Sequence, residues 1–183
     1  MSDYIERHDC VAEIITELPG SGNIPQFCFP LSQKYGRYEL MVKFSPVNGE
    51  RDWIGMFDSY GYGHSGIYTL PHVSNLLVIA KGSGYLVDVD SPQKTHIWEP
   101  IFPIQGCIVI RDQMLVVLHD YTSILAFDPG GEKWRIKDLV STDLKVLESS
   151  DKLLRGEASL NGRDARFTVM LRQVNMKQSK SIK

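Results

Sequence analysis

The residues best suited to chemistry in this chain are three cysteines, five histidines, a scatter of aspartates and a run of tyrosines set among glycines. Each class is judged by spacing. Cys107 lies inside the apolar run "QGCIVIRD", where burial raises a thiol pKa and keeps it inert. Cys10 follows His8 and Asp9, but adjacent residues on a helix do not face one another, so the triplet is no catalytic array. "GHSGI" at 63–67 lacks the closing glycine and the incoming strand of a nucleophile elbow. The histidines are His8, His64, His72, His96 and His119. None pair at i,i+2 or i,i+4, the spacings that bring two metal ligands together on a strand or helix. "KGSG" at 81–84 reads as a hairpin turn, since a phosphate loop needs a helix after it. Asp88 and Asp90 read as turn caps, too few oxygens for calcium. No catalytic residue, metal site or cofactor is expected.

One stretch has the chemistry of recognition. In "FDSYGYGHSGIY", 57–68, Tyr60, Tyr62, His64 and Tyr68 alternate with small residues. Tyrosine brings large contact area at low entropy cost, and glycine lets the backbone take unusual shapes. These four are the candidate binding residues. The bland reading is an ordinary connection between strands. A different class, an enzyme or small-ligand protein, requires a pocket assembled around Asp88, Asp90, His96 and His119.

Composition narrows the partners. The chain has 183 residues, 43% hydrophobic and 23% charged, with a net charge of −2. Those are globular proportions, expected as a single β-rich domain over 1–183. No overall basic field recruits nucleic acid or an acidic membrane. The basic tail at 174–183 is expected to be a flexible end. Three widely spaced cysteines do not make a secreted disulfide framework. "MSDYIERHDC" has no apolar signal region and no run approaches 18 apolar residues. The expected compartment is cytoplasmic, and a homo-oligomer is compatible.

The elements that must position these residues are mostly strands. "SDYIERHDCVAEIITELPG" has apolar residues at Ile5, Val11, Ile14, Ile15 and Leu18, with Ser2 or Asp3 as a cap and Pro19-Gly20 as a stop. The pattern favours a short N-terminal helix, although "VAEIITEL" also reads as a strand. Residues 20–36 are expected to be loop, completing an N-terminal segment over 1–36. From 38 to 171 short β-branched or aromatic runs follow one another, bounded by Gly, Pro, Asp or Ser. Asn48-Gly49 and Asn161-Gly162 are strong hairpin signals. In "FDPGG", Asp128 is expected to bond its own backbone, Pro129 to set φ, and Gly130 to take positive φ.

Sliding the chain by 38 residues lays "LLVIAKGSGYLVDVDSP" over "MLVVLHDYTSILAFDPG". Leu77 then meets Leu115, Val89 meets Phe127, and both copies run on to a Trp, Trp98 or Trp134. Seven of the fifteen positions 77–91 pair apolar with apolar, against about three by chance. Four short strands in about 40 residues is the unit of a propeller blade. The rhythm resembles blades of the PQQ and WD-repeat kinds over about 66–139, without the Gly-His and Trp-Asp dipeptides of WD repeats. The resemblance implies an all-β propeller-like stack of about three to four small antiparallel sheets. A twisted β-sandwich is the alternative. The functional expectation is a non-enzymatic protein-binding module, of the bacterial immunity or accessory type, recognising a protein partner through loops and sheet edges.

Overall fold

The computed structural model describes residues 4–7, 9–20, 23–30, 38–47, 49–71, 74–137, 142–150, 153–160 and 163–171. The proposed caps Ser2 and Asp3, the residues His8, His72, Asn48, Asn161 and Gly162, and the tail 174–183 lie outside them.

The described residues form sixteen strands, two 3-10 turns and no α-helix. The first sheet comprises β1 (Tyr4–Arg7), β2 (Cys10–Ile15), β3 (Gln26–Phe29), β4 (Tyr38–Pro46) and β5 (Trp53–Asp58), in the order β1-β2-β4-β5-β3. The second runs in sequence through β6 (Gly66–Thr69), β7 (Leu76–Ala80), β8 (Ser83–Val87) and β9 (His96–Ile97). The third does likewise through β10 (Gly106–Ile110), β11 (Leu115–His119), β12 (Ile124–Asp128) and β13 (Gly131–Ile136). The fourth holds β14 (Thr142–Ser149), β15 (Leu153–Leu160) and β16 (Arg163–Met170). All pairings are antiparallel except β3 with β5.

The sheets stack in chain order because three apolar cores join consecutive neighbours. Phe44, Trp53 and Phe57 of the first sheet pack with Leu76, Val78 and Tyr85 of the second. Leu77 and Ile79 pack with Val116, Leu118 and Leu125 of the third. Leu115, Val117 and Trp134 pack with Leu144, Leu154 and Val169 of the fourth. Alternate residues of β7 and β11 therefore serve opposite cores. That is why "LLVIA" and "LVVL" are unbroken apolar runs, whereas the end sheet shows alternation along β15 and β16. Among the described residues no core joins the fourth sheet to the first. The architecture is a propeller-like stack of four small sheets.

Several expectations need correction. The N-terminal segment is not helical. Cys10 and Ala12 point into the core while Val11 and Glu13 point outward, and β2 pairs with β1 over Cys10–Glu13 and with β4 along its whole length. The period-two reading prevails because only it places alternate small residues against a sheet neighbour. Residues 20–36 are not all loop, since "QFCF" forms edge strand β3, with Phe27 and Phe29 on the core. In "FDPGG", Gly130 N donates to Asp128 Oδ1 (2.8 Å), but Gly131, not Gly130, has positive φ, at 114°.

The offset between the second and third sheets is 40 residues, not 38. Adding 40 to both members of Gly66↔Ile79, Tyr68↔Leu77, Leu76↔Val87 and Val78↔Tyr85 gives Gly106↔His119, Ile108↔Val117, Val116↔Phe127 and Leu118↔Leu125. Leu77 thus corresponds to Val117 rather than Leu115, and Phe127 corresponds to Val87 rather than Val89. Trp134, opposite Ala126, corresponds to His96 rather than Trp98, because His96 is opposite Leu86. A two-residue slip preserves the face of every side chain, so the apolar matches survive it and conceal it. β15 and β16 pair out to Leu160↔Arg163, and the Asn161-Gly162 turn expected between them lies outside the described residues.

Candidate functional site

The glycine-tyrosine stretch begins where β5 ends. Asp58 Oδ1 accepts from Ser59 N (2.8 Å), and Ser59 Oγ accepts from Gly61 N (3.0 Å). These short side chains replace the sheet ladder with a turn. Gly61 and Gly63 then take positive φ, 82° and 119°. The loop is tied to two others by main-chain bonds. His64 N donates to Ile104 O (3.0 Å), Gly82 N to His64 O (2.8 Å) and Ile104 N to Gly82 O (2.9 Å). Lys81 N donates to Ser65 Oγ (2.9 Å). Lys81 and Gly82 both have positive φ, as a two-residue hairpin turn requires.

The four predicted residues divide on this base. Tyr60 and Tyr62 are 53% and 67% exposed. Tyr60 meets Phe102 edge-on, with ring centroids 5.1 Å apart, and Phe102 is itself 45% exposed. The result is an aromatic rim on a bonded backbone. His64 and Tyr68 turn inward instead, sharing a hydrogen bond between Nε2 and Oη. Near them lie His119, whose ring covers Gly106, and Cys107.

This inner cluster is uncharged. Burial lowers the pKa of His64, and the neighbouring His119 lowers it further. Burial also lowers His119, against a smaller opposing pull from Asp120, whose carbonyl contacts Nδ1 (3.2 Å). Burial raises both the Tyr68 hydroxyl and the Cys107 thiol. The unfolded histidines titrate near 6.5. Below that pH the unfolded chain binds protons that the folded chain refuses, so stability is lost as pH falls from 6.5 toward the lowered folded values. Urea midpoints should therefore fall between pH 7 and pH 5. The fall should shrink in a His64→Asn, His119→Asn double variant; an equal fall in both proteins would refute the buried-neutral assignment.

A crevice of about 210 Å³ opens between the edges of the first two sheets, lined by Cys28, Phe29, Pro30, Tyr85, Thr95, His96 and Ile97. Tyr85 Oη donates to Asp58 O (2.7 Å), fixing the ring between the sheets. Opposite Tyr85 stands Ile97. Trp98 N donates to Gly84 O (2.8 Å), continuing the ladder so that Glu99 faces Ser83 on the same side. Along this side Ser83 Oγ, Thr95 Oγ1 and Glu99 Oε1 are buried. Burial raises the Glu99 pKa, and a hydrogen bond from the Ser83 side chain works against that shift.

The alternative pocket of Asp88, Asp90, His96 and His119 is not assembled. Asp88 Oδ1 accepts from Ser91 N (2.9 Å) as a turn cap, Asp90 is exposed, His96 lies exposed on edge strand β9, and His119 is buried over Gly106. Among the described residues no three His, Cys, Asp or Glu side chains converge as metal ligands. Phe102, Ser83 and Glu99 escape a sequence reading because the fold, not spacing, sets Phe102 against Tyr60 and Glu99 against Ser83. The one linear signal is Glu99 itself, a charge within the run "THIWEPI".

Fold and site together define a small all-β protein with an aromatic rim beside a partly polar crevice. No family model matches the chain, and no curated protein matches it. No helix among the described residues is long and apolar enough to cross a membrane.

Proposed function

We propose that this protein is a non-enzymatic cytoplasmic binding module of the immunity or accessory type, which recognises one protein partner through the rim formed by Tyr60, Tyr62 and Phe102. The observation that carries this reading is three exposed aromatic side chains on loops whose backbones are bonded to one another. Exposed aromatics on a preorganised base are the usual anchors of interface hot spots. The crevice supports a protein partner over a small ligand. At about 210 Å³ it has room for one side chain, whereas drug-sized ligands occupy roughly 300–1,000 Å³.

The test starts from affinity capture in the native host, followed by direct measurement with the purified partner. Tyr60→Ala with Tyr62→Ala should weaken binding by at least about 2 kcal/mol, roughly 30-fold. Stability should stay within about 0.5 kcal/mol, since both side chains are solvent-facing. Unchanged affinity would reduce the loop to an ordinary connection between strands.

A further inference from the structure

We propose that the free edge of β3 pairs with the same edge of a second copy of this chain, joining the two first sheets into one across a two-fold axis beside Phe27. The pairing goes beyond the partner-binding reading and does not depend on it.

The first support is the direction of the backbone groups. β3 is the end strand of its sheet, and its one described neighbour is β5. Ile54 N donates to Pro25 O (2.8 Å), with Gln26 in register with Ile54 and Cys28 with Met56. In a parallel ladder that register turns the N–H and C=O of Phe27 toward β5 and those of Gln26 and Cys28 away from it. The open side therefore offers two donors and two acceptors, and both residues are exposed. Such an edge complements itself. Run antiparallel, with Gln26 facing the second copy's Cys28, it pairs all four groups of each strand.

The second support is that this edge lacks the usual protection. Edge strands are normally blunted by charge, bulges or shortness. β1 contains Glu6 and Arg7, β13 contains Lys133 and Arg135, and β14 and β16 contain charges of both signs. β9 has two residues. β6 packs against β1, and β10 runs into Arg111, which donates to Thr69 of β6. β3, "QFCF", has four residues, none charged, and no register shift against β5. Pro25 and Pro30 flank it and limit the pairing to the residues between them. An uncharged edge sets no like charges against each other across the axis.

The third support is the crevice along this edge. Phe27 and Phe29 face the core shared with the second sheet. Phe29, Tyr85 and Ile97 line the crevice, and Ile97 is 44% exposed. A strand added beside β3 extends the first sheet over that side. Alternation requires it to present apolar residues on the face that carries Phe27. A second β3 does so, because its own Phe27 then stands beside the first on that face.

The experiment is sedimentation of the full chain at neutral pH over a dilution series. The wild-type protein should be dimeric at about 100 µM and dissociate on dilution. Gln26→Lys with Cys28→Lys sets two like-charge pairs across the axis and should weaken the dimer at least about ten-fold. Gln26→Lys with Cys28→Glu sets opposite charges in the same places and should bring the dimer back to wild-type strength or better. Urea unfolding checks the fold, and both variants should keep the wild-type midpoint, since both positions are exposed. A second measurement needs no variant. Exchange of the Gln26 and Cys28 amide hydrogens should slow as concentration rises, while the Phe27 amide, directed at β5, exchanges at one slow rate throughout. A wild-type protein that is monomeric at every concentration would overturn the proposal. So would a dimer that tolerates both lysines, a folded opposite-charge variant that stays monomeric, or exchange at Gln26 and Cys28 that ignores concentration. A monomer whose affinity for the partner of the rim falls with the two lysines would assign this edge to that partner, and would equally overturn the pairing of copies.

Discussion

Gly82→Ala should destabilise the protein by about 3 kcal/mol or more, measured by urea unfolding. Gly82 sits at φ 93°, where an alanine is strained in any surroundings. Here the surroundings add a clash. A Cβ at this position would overlap the carbonyl oxygen of Tyr62 and press on the Pro103 ring. The overlapped group is backbone, and it cannot move freely because Gly82 N is bonded to His64 O and Gly82 O to Ile104 N. Gly61→Ala is the control. Its φ is 82° but nothing lies within 4 Å of the new carbon, so only the conformational cost of about 1–2 kcal/mol remains. A Gly82→Ala protein as stable as Gly61→Ala would mean that the tyrosine loop is not locked onto the turn. The preorganised rim would then lose its basis.

Leu118→Ala should cost about 2–5 kcal/mol by the same measurement. Leu118 is fully buried on the face of β11 that meets the second sheet, together with Leu77, Ile79 and Leu125. Its neighbours belong to two sheets held in register by their own ladders, so they cannot collapse into the space left behind. Met170→Ala is the control on the end sheet. Met170 is 56% exposed, and its loss should stay within about 0.5 kcal/mol. A cost below about 1 kcal/mol at Leu118 would show that the second and third sheets do not share a packed core.

What the linear chain determined was the local structure from residue 38 onward. Runs such as "YELMVKF", "LVVLH" and "ARFTVML" are β-branched or aromatic and lie between turn formers. Each is the core of a strand, because backbone sterics and alternation act over a few residues. The turns were legible in part: Gly82 and the Asp128 cap lie where φ preference and side chain demand, but positive φ also falls on Lys81, which does not favour it, and on Gly131 rather than Gly130.

What only the tertiary structure decided was everything that depends on a neighbour far along the chain. "VAEIITEL" suits a helix or a strand by itself; pairing with β4, more than 25 residues away, settles it as β2. "QFCF" is a strand only because β5 offers it a parallel edge. The offset between the two middle sheets is hidden from pattern by the two-residue period of a strand and revealed only by hydrogen-bond register. The candidate site divides in the same way. Alternation with glycine marked Tyr60, Tyr62, His64 and Tyr68 as a group, but it could not say which would face water. The close approach of the 81–82 turn and the 102–105 loop leaves Tyr60 and Tyr62 outside, while burial against His119 and Cys107 draws His64 and Tyr68 in. Glu99 and Ser83 stand sixteen residues apart in sequence and opposite one another across a ladder. Strand pairing alone makes them neighbours, because it exchanges distance along the chain for the roughly 5 Å between adjacent strands.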